Sequence, residues 1–95
     1  MVVISRKTIR EFGRKYSDAR RSLAAWLAVT EAADWKNTAD VRETFKDADF
    51  VGEQVIFNIA RNRYRLIAFI ACRVRTVYIK TVLTHKEYSK GIESR

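Results

Sequence analysis

The chain has 95 residues, and 19 Lys and Arg against 11 Asp and Glu give it a formal net charge of +8. A chain of this length forms one domain with one core, and 47% hydrophobic residues exclude a disordered basic tail. The single cysteine, Cys72, excludes a disulfide framework, and the sequence contains neither a signal-peptide core nor a membrane-spanning segment. We therefore expect one cytoplasmic domain over residues 1–95 with a polyanionic partner, most simply nucleic acid.

The positive charge is concentrated in the second half of the chain. Residues 1–50 carry ten basic and eight acidic side chains, and residues 51–95 carry nine and three, so the halves are +2 and +6. No acidic residue occurs between Glu53 and Glu87. Seven cations lie in that window: Arg61, Arg63, Arg65, Arg73, Arg75, Lys80 and Lys86. Because a surface of one sign opposes its own folding, this window predicts a phosphate-binding function.

The first half of the chain predicts a strand and two helices. Residues 2–4 are β-branched or apolar and favour a strand, after which Ser5 can cap an amphipathic helix. Ser17 or Asp18 can cap a second helix. Its predicted buried face comprises Leu23, Trp26, Leu27 and Thr30. A short helix from Thr38 through Phe45 follows, and residues 47–49 are expected to break it.

The second half predicts three consecutive antiparallel strands, residues 54–59, 64–72 and 76–83. Arg61 and Asn62 form the first turn, because Asn tolerates the left-handed conformation, and residues 73–75 form the second connection. Alternation in the middle strand places Arg63 and Arg65 on the face opposite Leu66. In the last strand it groups Val82 with Tyr78 and Lys80. The predicted fold is an α+β two-layer domain.

Several sequence fragments, in their order and spacing, resemble the HigB family of RelE-like toxins. They are residues 3–7 (VISRK), 10–12 (REF), 33–36 (ADWK), 57–59 (FNI), 62–66 (NRYRL) and 84–88 (THKEY). The chain differs from the family pattern at Arg61, where a glycine is common, and at Ser89, where an acidic residue is common. The resemblance implies a RelE-like fold with a short C-terminal helical turn. It also implies an endoribonuclease that cuts mRNA, commonly on the ribosome, and a cognate helix-turn-helix antitoxin of the HigA type.

Metal-free RNA cleavage needs a base for the ribose 2′-hydroxyl, cations for the phosphate and an acid for the leaving oxygen. The candidate catalytic residues are Arg65, His85 and Tyr88. His85 can titrate near neutral pH, although a lone histidine after a strand is as readily structural, and Tyr88 is as readily a half-buried aromatic. Arg65 can pair with a phosphate. The candidate RNA-binding residues are Arg61, Asn62, Arg63, Arg73, Arg75 and Lys80.

Two functional classes remain open at this point. One histidine and one cysteine, with no CxxC or HExxH spacing, predict no metal or cofactor. The first class is a metal-independent endoribonuclease toxin. The alternative is a non-catalytic basic module that binds RNA or a partner protein, which would bind in a salt-dependent manner without forming a product.

Overall fold

The N-terminal part of the protein is a short strand followed by a helical hairpin. The computed structural model describes residues 1–93, with the backbone alone for residues 90–93. Strand β1 is Val2–Ile4, helix α1 is Arg6–Lys15 and helix α2 is Ser17–Ala32. The predicted hairpin is confirmed. Ser5 occupies the N-cap position of α1 as predicted, but its backbone is left-handed (φ 74°) and its side chain makes no cap bond. The N-cap of α2 is Tyr16, so the prediction of Ser17 or Asp18 is wrong.

Helix α2 supplies the helical side of the core. Its buried residues are Ala19, Leu23, Trp26 and Thr30, which recur at the spacing of one helical face. Leu27 packs against the core from its edge. The predicted buried face is therefore confirmed, and it packs against the sheet.

A third helix and an edge strand lie between α2 and the antiparallel meander. Helix α3 is Thr38–Thr44, and its cap is Asn37, whose side chain accepts a hydrogen bond from the Asp40 amide at 3.1 Å. Strand β2 is Asp49–Val51 and pairs antiparallel with the next strand through a turn at Gly52 (φ 60°). The predicted short helix is confirmed and ends before residues 47–49, as expected, but strand β2, which begins at Asp49, was not predicted.

The remaining strands complete a five-stranded mixed sheet. They are β3 (Gln54–Ile59), β4 (Tyr64–Ala71) and β5 (Thr76–Thr84), joined by a tight turn and by a 3₁₀ segment over Cys72–Val74. The order is β1-β5-β4-β3-β2, and β1 runs parallel to β5. The predicted antiparallel meander is confirmed within one residue at each end. The C-terminal helix α4, His85–Glu93, is longer than the single turn expected.

A β-bulge in β5 corrects one predicted face. Ile67 pairs with Thr81 and Ala68 pairs with Ile79, so Lys80 has no partner in β4. The extra residue shifts the alternation by one position. Val82 therefore faces the core and is 6% exposed, whereas the sequence pattern had placed it beside Lys80 on the opposite face.

Aromatic side chains fill the centre of the core. The Phe57 ring centroid lies 5.1 Å from that of Phe45, 5.3 Å from that of Trp26 and 6.5 Å from that of Trp35. The Trp35 indole N–H donates to the Thr44 hydroxyl at 3.0 Å, which ties α3 to this cluster. Helices α1 and α2 cover this side of the sheet. The opposite side is here called the outer face, and it carries the candidate active site.

Candidate active site

The start of α4 is fixed by a capping box. The Thr84 hydroxyl accepts from the Glu87 amide at 3.1 Å, and the Glu87 carboxylate accepts from the Thr84 amide at 3.0 Å. Interactions of the Glu87 carboxylate with the Thr84 amide, the larger cause, and with the Thr84 hydroxyl hold the pKa of Glu87 below its ordinary value. The pattern Thr84-x-x-Glu87 is a sequence signature for a helix start, and it fixes His85 as the first helical residue.

Helix α4 and strand β4 bring Arg65, His85 and Tyr88 together. The His85 amide donates to the Arg63 carbonyl at 2.9 Å, which joins the helix to the β3–β4 turn. Arg65 Nη2 then lies 3.3 Å from His85 Nδ1, and the Arg65 guanidinium carbon lies 5.4 Å from the Tyr88 ring centroid. Arg65 in β4 and His85 in α4 are 20 positions apart in the sequence. The three candidate catalytic residues nevertheless form one cluster.

A close contact joins Arg65 to the imidazole of His85. A guanidinium only donates hydrogen bonds, so the 3.3 Å contact of Arg65 Nη2 with His85 Nδ1 is a hydrogen bond when Nδ1 carries no proton. Arg65 also donates through Nη1 to the carbonyls of Asn62 (2.8 Å) and Tyr64 (3.2 Å). These bonds fix the orientation of a half-buried arginine at the surface, as recognition of a phosphate requires.

The turn beside this cluster has an unusual backbone. Ala60, Arg61 and Asn62 all have left-handed conformations, with φ of 52°, 54° and 73°. The prediction that Asn62 is left-handed is confirmed. Arg61 is exposed and also left-handed, which gives the physical reason why a glycine suits that position. Arg61 and Asn62 thus lie at the same end of the sheet as Arg65.

A network missed by the sequence reasoning ties the start of β4 to α2. Asp18 accepts from the Tyr64 hydroxyl at 2.6 Å and from Arg63 Nη1 at 3.1 Å. The Tyr64 hydrogen bond is the main cause that lowers the pKa of Asp18, and the same bond raises the pKa of Tyr64. Arg63 therefore reaches towards α2, and its predicted place on the face of Arg65 is wrong.

The other predicted RNA-binding residues lie farther away. Arg73 and Arg75 are at the opposite end of β4 from Arg65, and Arg75 pairs with Asp34 at 2.7 Å. Lys80 lies midway along β5, with Nζ 5.8 Å from the Phe69 ring centroid. The structure therefore separates the single basic surface expected from sequence into an Arg61–Arg65 end, a central Lys80 and an Arg73–Arg75 end.

Three further features concern the described part of the chain. Among residues 1–89, whose side chains the structure describes, no group of three or more His, Cys, Asp or Glu side chains is arranged to hold a metal ion. Cys72 is a half-buried free thiol whose pKa is raised by burial. None of the helices described has the length and apolar character to cross a membrane.

Comparison with known proteins defines the class. The family model that matches residues 19–91 describes the RelE-like toxic component of a toxin–antitoxin system. The match covers most of the chain and includes every residue of the Arg65–His85–Tyr88 cluster. The chain belongs to the HigB toxin family.

Curated relatives carry consistent names. The chain is 25% identical over 91 residues to the mRNA interferase toxin HigB of Escherichia coli K12, covering 93% of this chain and 88% of that protein. It is 25% identical over 93 residues to the mRNA interferase HigB of Escherichia coli O6:H1 strain CFT073, covering 95% and 90%. The mRNA interferase HigB of Shigella flexneri is 25% identical over 91 residues, with coverage of 93% and 88%.

Proposed function

We propose that the protein is the toxin of a type II toxin–antitoxin system and an endoribonuclease that cuts mRNA in the cytoplasm, with residues 1–95 acting as one domain. The names of its relatives support the substrate. The observation that carries the catalytic assignment is the convergence of Arg65, His85 and Tyr88 on the outer face. The Glu87 carboxylate on α4 accepts from the Thr84 amide in the capping box, and no salt bridge joins it to Arg65 in the described part of the chain.

The reaction proceeds by attack of the ribose 2′-oxygen on the adjacent phosphorus. The 2′-hydroxyl loses its proton to a base, the 2′-oxygen–phosphorus bond forms, and the bond to the 5′-oxygen breaks as an acid protonates that oxygen. Arg65 binds the phosphate oxygens, and His85 and Tyr88 carry the two proton transfers. The products are a 2′,3′-cyclic phosphate and a 5′-hydroxyl, and no metal ion enters the balance.

Cleavage of mRNA by the purified protein, with and without translating ribosomes, tests this proposal. We expect cyclic phosphate ends in both reactions, a faster reaction on ribosomes, and an unchanged yield in EDTA in the reaction without ribosomes. Arg65→Ala and His85→Ala should each lower the rate by about 100-fold or more, in line with the loss of a positioned catalytic group. Arg21→Ala, an exposed arginine on α2, is the matched control and should cleave normally.

The alternative class makes the opposite prediction in the same assay. A non-catalytic binding module would bind RNA with a steep salt dependence and release no cyclic phosphate. Absence of product under both conditions, together with unchanged growth arrest by Arg65→Ala and His85→Ala, would contradict the enzyme assignment.

The partners we propose are mRNA on the ribosome and a HigA-like antitoxin with a helix-turn-helix domain. The family description as a toxic component supports an antitoxin, and the excess of eight positive charges suits both an RNA and an acidic protein. Co-expression with the product of a neighbouring gene, followed by purification through a tag on that product, tests the partner. Recovery of this chain only when that gene is present is the expected result.

A further inference from the structure

Three side chains form a row on the outer face, away from the candidate active site. Gln54 pairs with Phe69, and Phe69 pairs with Tyr78, on neighbouring strands β3, β4 and β5. Their chain neighbours Ala68 and Ile79 are buried in the core, so alternation directs Phe69 and Tyr78 outward. Tyr78 is 44% exposed. No residue of this row takes part in the proposed cleavage step.

The same three residues line a cavity. Its volume is about 450 Å³, which lies in the range of small-ligand sites. Glu53 also lines it, and Arg73 directly follows Cys72, another lining residue. Lys80 extends over the Phe69 ring. The cavity is therefore lined by three aromatic rings (Phe50, Phe69 and Tyr78) and the Gln54 amide, and Lys80 lies beside it over the Phe69 ring.

This combination matches the chemistry of an unpaired nucleobase. Exposed aromatic rings on a sheet stack on bases, whose π-faces are accessible only in single strands. The Gln54 amide both donates and accepts, as the edge of a base requires. The Glu53 carboxylate disfavours a phosphate inside, whereas Lys80 and Arg73 can contact the phosphates on either side of the base.

We propose that the Gln54–Phe69–Tyr78 row is a base-binding site for the same RNA strand that the Arg65 cluster cuts. The proposal rests on the function proposed above. Phe69 follows Arg65 by four residues along β4, which corresponds to roughly 13 Å. Lys80 lies between the two regions on the neighbouring strand. A single strand that crosses the outer face therefore contacts Arg65 at one end and Tyr78 at the other, and this gives the distant Lys80 and Arg73 a role in RNA binding.

Fluorescence of an RNA hexamer that contains 2-aminopurine tests the site, because this base loses emission when it stacks. Every 2′-hydroxyl is replaced by 2′-O-methyl, so the probe binds without being cut. We expect quenching on titration with the wild-type protein. Loss of one stacking contact should weaken binding about 5- to 150-fold in Tyr78→Thr, which keeps a strand-forming residue. Tyr78→Phe retains the ring and should quench like the wild type.

The outcomes separate this proposal from the cleavage proposal. Quenching without any cleavage of natural RNA would support the base site and remove the enzyme assignment. Normal cleavage with no quenching by the wild-type protein would overturn the base site alone, as would equal affinities of Tyr78→Thr and wild type. Because absence of quenching by the wild-type protein already overturns the base site, the proposal can still be refuted if the Tyr78→Thr protein fails to fold. Arg65→Ala should quench the probe to the same final level but at higher protein concentration, because it loses one phosphate contact and keeps the base site.

Discussion

Replacement of Arg61 by glycine should stabilise the protein, because this residue has a left-handed backbone in the β3–β4 turn (φ 54°). A non-glycine residue in the left-handed conformation costs about 1–2 kcal/mol, which glycine avoids. The greater conformational freedom of glycine in the unfolded chain offsets about 0.5–1 kcal/mol of this stabilisation. We expect a net increase of about 0.5–1 kcal/mol in the free energy of unfolding. For a chain of this size, that corresponds to a rise in Tm of about 2–8 °C.

The matched control for this prediction is Arg61→Ala. It removes the same exposed charge but keeps a Cβ in the left-handed conformation, so its stability should stay within about 0.5 kcal/mol of the wild type. Urea denaturation of the three proteins at one salt concentration measures both differences. Each variant also loses one cation, and the slope of RNA affinity against salt should fall by about one in both. Equal stability of the glycine and alanine variants would refute the assignment of strain to this turn.

Two other changes test the capping box at the start of α4 and the bulge in β5. The pKa of Glu87 is lowered below 4.5 in the folded protein, so its contribution is present above pH 4.5 and is lost as the pH falls through the lowered pKa. Glu87→Gln should therefore flatten the dependence of Tm on pH below pH 4.5, and a profile parallel to that of the wild type would contradict this. Deletion of Lys80 leaves every other side chain of β5 on its present face. The shortened protein should fold with Tm within about 8 °C of the wild type, about 1 kcal/mol, and loss of the cooperative thermal transition would show that the bulge is required.

The sequence predicted those parts of the fold that depend on local patterns. The β3–β4–β5 meander has strong alternation and a turn residue, Asn62, with a known conformational preference. Strand β2 has only three residues and begins with Asp49, so its local sequence pattern is too short to predict a strand, and it forms by pairing with β3. The sequence pattern of β5 does not reveal the bulge at Lys80. The alternation with the bulge and the alternation without it both place hydrophobic residues towards the core.

The candidate site was partly predictable for similar reasons. Arg65, His85 and Tyr88 were chosen from chemistry and family resemblance, and their contacts depend on the pairing of β4 with β5. The network joins Asp18 to Arg63 and Tyr64, which lie 45 and 46 positions later in the sequence. No local sequence pattern predicts such a contact. The separation of Arg75 from Arg65 follows from strand length, since residues at opposite ends of an eight-residue strand lie far apart.

The unpaired position of Lys80 has a consequence for how the protein can change over time. Residue 80 belongs to no cross-strand pair, so a substitution there leaves the neighbouring ladder contacts of Ile79 and Thr81 in place. Selection can therefore alter the charge or size of this side chain at little expense to folding. Because the same side chain projects over the Phe69 ring, the base site proposed above makes position 80 a place where related proteins can diverge in RNA preference while they keep one scaffold.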